Sequence, residues 1–164
     1  METLIGLGGN LGDVPRAFSR AREGLARRCR VEACSGVWRS APLGPPQPDF
    51  CNAALLVSFE CHPLELLALC LGLEIEAGRD RSGEQHWGPR ALDLDLLLSP
   101  GLVVAAPRLE LPHPRLHLRR FALLPACELV PGWVHPRQHR TLAELAAALD
   151  PEGQPCVRTG PFPP

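Results

Sequence analysis

The chain contains no lysine, and all 17 of its basic residues are arginine. This absence excludes a Schiff-base mechanism, a Walker-type phosphate-binding lysine and the strand lysine of protein kinases. Any phosphate chemistry must therefore rest on arginine, on backbone N–H groups and on metal. Arginine suits this task because its planar guanidinium group can donate two parallel hydrogen bonds to phosphate oxygens.

The sequence also lacks long hydrophobic runs and Cys-x-x-Cys motifs. No stretch approaches the about 20 apolar residues of a membrane span, and the first five residues lack the basic segment of a signal peptide. The cysteine count of seven is odd and does not indicate a disulfide framework. We therefore expect a cytoplasmic protein with reduced thiols and no membrane partner.

Strong positive charge is missing as well. The formal net charge is -1 and the sequence pI is about 6.6, which argues against nucleic acid as a partner because neutralising its phosphates needs a basic face. The length of 164 residues and the 45% hydrophobic content are typical of one globular domain that can bury its own core.

Hydrophobic periodicity predicts strands and helices in alternation. The predicted strands are Thr3–Leu7, Val31–Trp38, a run starting at Asn52, and Leu92–Leu98; the predicted helices start near Pro15, Pro63, His117 and Leu142. Strands joined directly to one another between two helices indicate an α+β fold: a ferredoxin-like antiparallel sheet with helices packed on one face. We expect one domain over residues 1–150 and a loosely ordered, Pro-rich tail over residues 151–164.

Two long loops interrupt this pattern. The segment 40–49 carries four prolines and a glycine, and the segment 79–85 is strongly polar. Long loops in small domains are usually functional, so both are expected to border a site.

Two aspartates share one face of a predicted strand. In Leu92-Asp-Leu-Asp-Leu96, Asp93 and Asp95 point one way and the leucines the other, because side chains alternate along a strand. Like charges on one face repel, so the pair needs either a cation or a fully solvated face. Magnesium binds through one or two carboxylates together with substrate phosphates.

The residues before the aspartates favour the metal over the solvated face. Trp87 and Arg90 immediately precede the pair, and Arg79 and Arg81 lie in the adjacent loop. An aromatic ring and three guanidinium groups beside two carboxylates indicate a polyphosphate held by metal, although Arg81 can equally be a solvated surface residue.

Two further segments allow more than one interpretation. The glycine-rich run over residues 6–13 either presents backbone N–H groups and lets a flat ligand approach, or is a simple strand-to-helix turn. His113, between two prolines, either donates to a phosphate or nucleobase or is an ordinary surface histidine.

Together these motifs resemble the 6-hydroxymethyl-7,8-dihydropterin pyrophosphokinase family, over about Leu4 to Leu149. The matching segments are Gly8-x-Asn10-Leu-Gly-Asp, Pro42-Leu-Gly44, Gln47-Pro-Asp-Phe-Cys-Asn52, Glu74-x3-Gly-Arg79, Trp87-Gly-Pro-Arg-x-Leu-Asp-Leu-Asp95 and Pro112-His-Pro-Arg-x5-Phe121. The resemblance implies an enzyme of folate biosynthesis that transfers the β,γ-pyrophosphoryl unit of ATP to the pterin hydroxymethyl group and releases AMP.

The resemblance also implies roles for individual residues. Asp93 and Asp95 would bind two Mg²⁺ and act in catalysis with Arg79 and Arg90. The ATP contacts would be Glu74, Arg79, Trp87, Arg90, Arg108, His113 and Arg119. The contacts to 6-hydroxymethyl-7,8-dihydropterin would be Gly8, Leu43, Phe50, Asn52, Trp87, Asp93 and Phe121. We expect a monomer that binds neither nucleic acid nor membrane.

The sequence departs from the family pattern at three places, and two alternative functions remain. His86 stands where the family often has arginine, the 80–85 loop is one residue longer than in some members, and Gly9 replaces a serine. These features affect loop kinetics more than the reaction. The rivals are a non-catalytic ligand-binding module on the same fold and an ordinary kinase that moves one phosphoryl group.

Overall fold

Strands and helices alternate along the chain in the computed structural model, which describes residues 1–42, 44–78 and 88–164. The first seven elements are β1 (Glu2–Gly9), α1 (Val14–Ala26), β2 (Arg30–Cys34), β3 (Val37–Ser40), β4 (Phe50–Ser58), α2 (Pro63–Glu76) and β5 (Asp93–Leu98). The remaining elements are β6 (Val104–Ala106), β7 (Leu109–Leu111), a 3₁₀ turn (Leu116–Leu118), α3 (Arg120–Leu129), β8 (Val134–His135), β9 (Arg140–Thr141), α4 (Leu142–Ala148) and β10 (Cys156–Gly160).

One six-stranded sheet organises the fold. Its strands run in the order β10-β3-β4-β1-β5. β2 pairs with the second half of β4, and β3 pairs with the first half. Every pairing in it is antiparallel. The strand order and the two helical connections confirm the predicted ferredoxin-like α+β sheet. Two small hairpins, β6-β7 and β8-β9, lie outside the sheet.

The first helix begins where its sequence signals indicate. The side chain of Asp13 accepts a hydrogen bond from the backbone N–H of Arg16 at 3.1 Å, and Pro15 occupies the first turn. Phe18, Ala21 and Leu25 recur at helical spacing and are buried. This apolar stripe packs against one face of the sheet.

Helices cover both faces of the sheet, so the expectation of helices on one face is wrong. α1 and α2 pack on the face that carries Ile5 and Leu55. α3 and α4 pack on the opposite face, against Leu4, Ala54 and Leu98. The physical reason is that successive side chains of a strand point to opposite faces of the sheet. Because neighbouring residues at one end of β1 and β4 are all apolar, both faces of the sheet must be shielded from water there.

The predicted strand Val31–Trp38 is in fact two strands. β2 and β3 both pair with β4, but Ser35 and Gly36 interrupt them. The N–H of Gly36 donates to the Glu128 carboxylate of α3 at 2.8 Å. A Cβ at position 36 would lie 2.6 Å from the Arg158 guanidinium, so a larger residue there would displace the end of this arginine side chain.

The chain end is structured, so the prediction of a loosely ordered tail over residues 151–164 is wrong for most of it. β10 pairs with β3 and forms one edge of the sheet. The ring of Phe162 lies 6.2 Å from that of Phe18, stacked at 21°. The tail therefore adds a strand to the edge of the sheet and an aromatic ring to the α1 face. No helix in the described ranges has the length and apolar character needed to cross a bilayer.

Candidate active site at the open end of the sheet

A cavity of about 130 Å³ lies on the α3 face of the sheet, over the ends of three strands. Gly8 of β1 is paired with Asn52 of β4 on one side and with Asp93 of β5 on the other. Gly6 is likewise paired with Asp95. The two glycines carry no side chain, so the floor between Asn52 and the aspartates stays low enough for a flat ligand.

Two aspartates stand together on this floor, as the strand pattern predicts. Asp93 accepts a hydrogen bond from Nη1 of Arg90 at 2.9 Å. The Arg90 guanidinium also lies within 3.3–3.4 Å of the Gly88 carbonyl oxygen, which helps to orient it. Asp95 opens onto the cavity and keeps 42% of its side-chain surface exposed.

The environment of Asp95 opposes its negative charge. Partial removal of the carboxyl group from water and, next in size, the neighbouring charge of Asp93 together raise the pKa of Asp95 to about 7. The positive charges of Arg119 and Arg90 act in the opposite direction. A bound cation would lower the pKa of Asp95 again, because its positive charge favours the ionised carboxylate.

The two carboxylates fit a magnesium ion that shares its ligands with a substrate. Hard oxygen donors suit Mg²⁺, which keeps several coordination positions for water and phosphate. In the described part of the chain no group of three or more His, Cys, Asp or Glu side chains could hold a metal. Most ligands of an ion at Asp93 and Asp95 would therefore come from water and a phosphate-bearing ligand.

His113 reaches the same cavity from the segment after β7. Its backbone N–H donates to the Leu97 carbonyl at 2.8 Å, and its Nδ1 accepts from the N–H of Arg115 at 3.1 Å. Its Nε2 lies 3.9 Å from Oδ2 of Asp95. Because Nδ1 is an acceptor, the neutral ring carries its proton on Nε2.

The His113 ring is neutral at ordinary pH. Burial and, next in size, the nearby charges of Arg119 and Arg115 together lower its pKa to about 4. His113 therefore presents an uncharged N–H donor near Asp95. Such a donor suits a phosphate oxygen that approaches the aspartates.

Arg119 and Phe121 cover the cavity from the start of α3. The Arg119 guanidinium lies 5.5 Å from the Phe121 ring centroid. Burial lowers the pKa of Arg119, while the Asp95 charge raises it. α3 thus presents a cation and an aromatic ring to the ligand.

Asn52 forms the other end of the cavity, next to Phe50. Its Nδ2 donates to Oγ of Ser40 at 3.0 Å and lies 3.4 Å from the carbonyl oxygens of Trp38 and Phe50. Its Oδ1 lies 3.8 Å from where a Cβ on Gly8 would stand. Asn52 therefore turns its amide nitrogen into the protein and its carbonyl oxygen toward the floor.

Most predicted site residues that the structure describes line this one cavity. They are Gly8, Phe50, Asn52, Arg90, Asp93, Asp95, His113, Arg119 and Phe121. The predictions for Leu43, Arg79 and Trp87 lie outside the described residues, as do Arg81 and His86.

Within the described ranges, Glu74 and Arg108 lie outside the cavity lining. Glu74 is 1% exposed on α2, and its Oε1 accepts the N–H of Leu94 at 2.7 Å. It holds β5 against α2 from the face opposite the cavity. Arg108 is exposed in the turn between β6 and β7. This placement argues against the direct ATP contact predicted for each residue.

Of two further residues that shape the site, sequence reasoning missed Ser40 and included Gly6 only as part of the glycine-rich run. Ser40 orients Asn52 through its hydroxyl, and no local pattern marks it because the contact depends on the pairing of β3 with β4. Gly6 lies opposite Asp95, and a Cβ there would come within 3.0 Å of Leu97. The spacing of Gly6 and Gly8 on one strand face is a signal that could have identified the floor.

Comparisons with known proteins agree on one family. The model of the family described as 7,8-dihydro-6-hydroxymethylpterin-pyrophosphokinase (HPPK) matches residues 4–131. A 2-amino-4-hydroxy-6-hydroxymethyldihydropteridine pyrophosphokinase of Synechocystis is 40% identical over 149 residues, covering 90% of this chain and 75% of the relative. The protein of that name from Methylorubrum extorquens is 40% identical over 155 residues, covering 93% and 96%.

Solved structures show the same fold. A crystal structure of an HPPK-DHPS protein in complex with substrates aligns with a TM-score of 0.67 at 10% identity, covering 90% of this chain and 43% of that one. Plasmodium falciparum HPPK-DHPS aligns with a TM-score of 0.65 at 11% identity, covering 89% and 44%. The chain thus spans less than half the length of these two structural relatives, and the likeness extends to the fold alone.

Proposed function

Since this chain belongs to the 7,8-dihydro-6-hydroxymethylpterin-pyrophosphokinase family, we propose that it transfers pyrophosphate to the hydroxymethyl group of 6-hydroxymethyl-7,8-dihydropterin. The reaction is a step of folate biosynthesis. ATP is the donor and AMP the second product. One observation carries the proposal: a single cavity is lined by a pair of carboxylates, by Arg90, His113 and Arg119, and by the Asn52 amide with two aromatic rings.

The phosphate end of the cavity binds ATP. Arg90, His113 and Arg119 supply N–H donors around the aspartates. Two of these donors carry full positive charge and can neutralise phosphate oxygens, and the neutral His113 adds directional hydrogen bonding. The described residues hold the triphosphate by position and charge and form no covalent intermediate with it.

Asp93 and Asp95 would hold the magnesium of this site, as two ions. When bound, magnesium supplies positive charge that offsets the phosphate oxygens and orients them. The protein contributes the two carboxylates on one strand face and the Arg90 guanidinium that fixes Asp93. The raised pKa of Asp95 supports the assignment, because this carboxylate gains most from a nearby cation.

The opposite end of the cavity binds the pterin. Oδ1 of Asn52 accepts a hydrogen bond from the donor edge of the ring, because the Asn52 amide nitrogen is already engaged by Ser40. Phe50 and Phe121 offer aromatic surface to the flat heterocycle. Gly8 allows the ring to approach the sheet closely. The hydroxymethyl group then points toward the aspartates and the phosphates.

Product identity tests the proposal. The protein is incubated with ATP, Mg²⁺ and 6-hydroxymethyl-7,8-dihydropterin, and the nucleotide products are separated by chromatography. We expect one AMP for each pterin consumed. ADP would indicate the ordinary kinase, and no turnover would favour the ligand-binding module.

The same proposal includes the setting of the enzyme. We expect a monomer in the cytoplasm that needs neither nucleic acid nor membrane. The near-neutral net charge of -1 supports this, and so do the seven free cysteines, one of them exposed, which suit a reducing compartment. Light scattering during gel filtration measures the mass, and a value of about 36 kDa, twice the 17.8 kDa of the chain, would contradict the monomer.

A further inference from the structure

Asn10 stands between the two segments that border the cavity. It follows the end of β1, two residues after Gly8, and is 9% exposed. It does not belong to the residues found lining the cavity in the described part of the chain.

One group of Asn10 contacts reaches the segment before β4. Its Nδ2 donates to Oε1 of Gln47 and to the carbonyl oxygen of Pro48, both at 3.0 Å. This segment leads directly into Phe50 and Asn52, which form the pterin end of the cavity. Both N–H groups of the amide are thus used to hold the pterin side.

The other group of contacts reaches the segment before β5. Oδ1 of Asn10 accepts the backbone N–H of Arg90 at 2.9 Å, and the backbone N–H of Asn10 donates to the Arg90 carbonyl at 2.8 Å. The N–H of Leu11 lies 3.2 Å from the same carbonyl. Arg90 in turn donates to Asp93, so this group of contacts holds the phosphate side.

One nearly buried amide therefore forms hydrogen bonds with the segments on both sides of the cavity, through its N–H donors to one segment and its oxygen acceptor to the other. Removing it would leave the Arg90 N–H and the Pro48 carbonyl without this partner, and each such loss is costly where water has little access. Because the same amide bonds both segments, a ligand that restricts the motion of one segment would also restrict the Asn10 amide and would lower the entropic cost of restricting the other.

We propose that Asn10 is a positioning residue that couples pterin binding to ATP binding. The identities of the two ligands rest on the function proposed above. Coupling of this kind is reciprocal: each ligand tightens the binding of the other by the same factor. Asn10 transmits it through the Gln47 and Pro48 contacts on one side and through the Arg90 backbone on the other.

The coupling factor is measured by fluorescence titration. The fluorescent, oxidised 6-hydroxymethylpterin is titrated into the protein without and with saturating α,β-methylene-ATP and Mg²⁺, and the ratio of the two dissociation constants is the factor. We expect the wild-type protein to show a factor of about 10, within the usual range for coupled sites. In Asn10→Ala the factor falls to within about twofold of one.

Two variants separate the two sides of Asn10. Asn10→Asp keeps an oxygen acceptor for the Arg90 N–H but loses the donors to Gln47 and Pro48. We expect its affinity for the ATP analogue alone to stay within about threefold of wild type, while the coupling factor is lost. Gln47→Ala removes one of the two acceptors and gives an intermediate factor. Gln138→Ala, an exposed amide in the turn between β8 and β9, is the matched control and keeps the wild-type factor.

A merely structural role predicts a different result. It would weaken the binding of each ligand alone and leave their ratio unchanged, and that outcome in Asn10→Ala overturns the proposal. A wild-type factor of one overturns it as well. If Asn10→Ala does not fold, Gln47→Ala decides: an unchanged factor in that variant contradicts the proposal.

The wild-type turnover assay distinguishes this failure from failure of the proposed function. Without AMP formation by the wild-type protein, the pyrophosphokinase assignment fails. If AMP forms and the coupling factor does not depend on Asn10, only the assignment of Asn10 fails.

Discussion

The two faces of the central strands differ in what they bury. On the α1 and α2 side, Leu7, Leu94 and Leu96 belong to one continuous apolar core. On the other side, the same strands present Asp93 and Asp95 to an open cavity. Residues one position apart thus serve stability and chemistry separately, because alternate side chains of a strand point in opposite directions.

The cavity exists because the second face is only partly covered. α3 and α4 shield Leu4, Ala54 and Leu98 at one end of the strands. α3 begins at Arg120, and its start carries Arg119 and Phe121 over the uncovered end. Among the described residues, the core beneath α1 and α2 continues behind the two aspartates, whereas the core beneath α3 and α4 lies at the other end of the strands.

The largest effect is expected on the open face. Asp95→Asn keeps the shape of the side chain but removes the charge that holds the cation, so we expect kcat/KM to fall by about 10³-fold or more. The far-ultraviolet circular dichroism spectrum should not change. Glu60→Gln, which neutralises an exposed carboxylate in the turn before α2, is the control and should retain full activity. Near-normal turnover by Asp95→Asn would contradict the assignment of Asp95 as a magnesium ligand.

The neighbouring residue on the covered face should show the opposite pattern. Leu96 is 4% exposed in the core beneath α1 and α2. Leu96→Ala should lower the free energy of unfolding by about 2–5 kcal/mol, because it removes buried methyl groups and leaves a cavity. Urea denaturation measures the loss, and activity per folded molecule should stay within a few-fold of wild type. A Leu96→Ala protein of wild-type stability with strongly reduced kcat would contradict the claim that one face serves stability and the other serves chemistry.

A smaller stability loss is expected at the chain end. Phe162 packs against Phe18 on the α1 face, at the periphery of that core. Phe162→Ala should lower the free energy of unfolding by about 1–2 kcal/mol, since the ring is only partly buried. The KM values for both substrates should not change. A variant as stable as wild type would show that the tail adds nothing to the covered face.

The smallest effect is a pH dependence that belongs to the open face. The pKa of Asp95 is raised to about 7 in the metal-free folded protein, against about 3.9 in an unfolded chain. A raised pKa means that the folded state holds the proton more tightly, so the contribution of Asp95 to stability is full below about pH 4 and is lost as pH rises through about 7.

Thermal unfolding of the metal-free protein between pH 4 and 8 measures this contribution. His113 acts in the opposite direction, because its lowered pKa of about 4 makes stability rise with pH. The difference between wild type and Asp95→Asn isolates the aspartate. We expect the variant to gain stability relative to wild type as pH rises, by less than about 1 kcal/mol because Asp95 is partly solvated. A difference in stability between wild type and Asp95→Asn that does not vary with pH would contradict the raised pKa of Asp95.

Much of the site could be predicted because its main signals are local. Alternation along one strand places Asp93 and Asp95 on one face, and the same rule applied to β1 would have placed Gly6 and Gly8 beneath them. The antiparallel sheet with α1 and α2 follows from periodicity and from signals such as Asp13 and Pro15 at the start of a helix.

The remaining features depend on contacts between distant segments. Ser40 meets Asn52 only through the register of β3 and β4. β10 is short and mostly exposed, so no apolar pattern predicted that it would join β3. Leu97 and Leu98, which follow one another in β5, do indicate that both faces of the sheet need cover, and this was the available sign of α3 and α4.

The fate of the β-phosphate of ATP tests the central claim, that the open face of the sheet carries out pyrophosphoryl transfer. Wild-type protein is supplied with Mg²⁺, 6-hydroxymethyl-7,8-dihydropterin and ATP that carries a radioactive label in the β-phosphate, and the products are separated after one turnover. We expect the label to appear in the pterin product and the released nucleotide to be unlabelled AMP. Label recovered in ADP would contradict it.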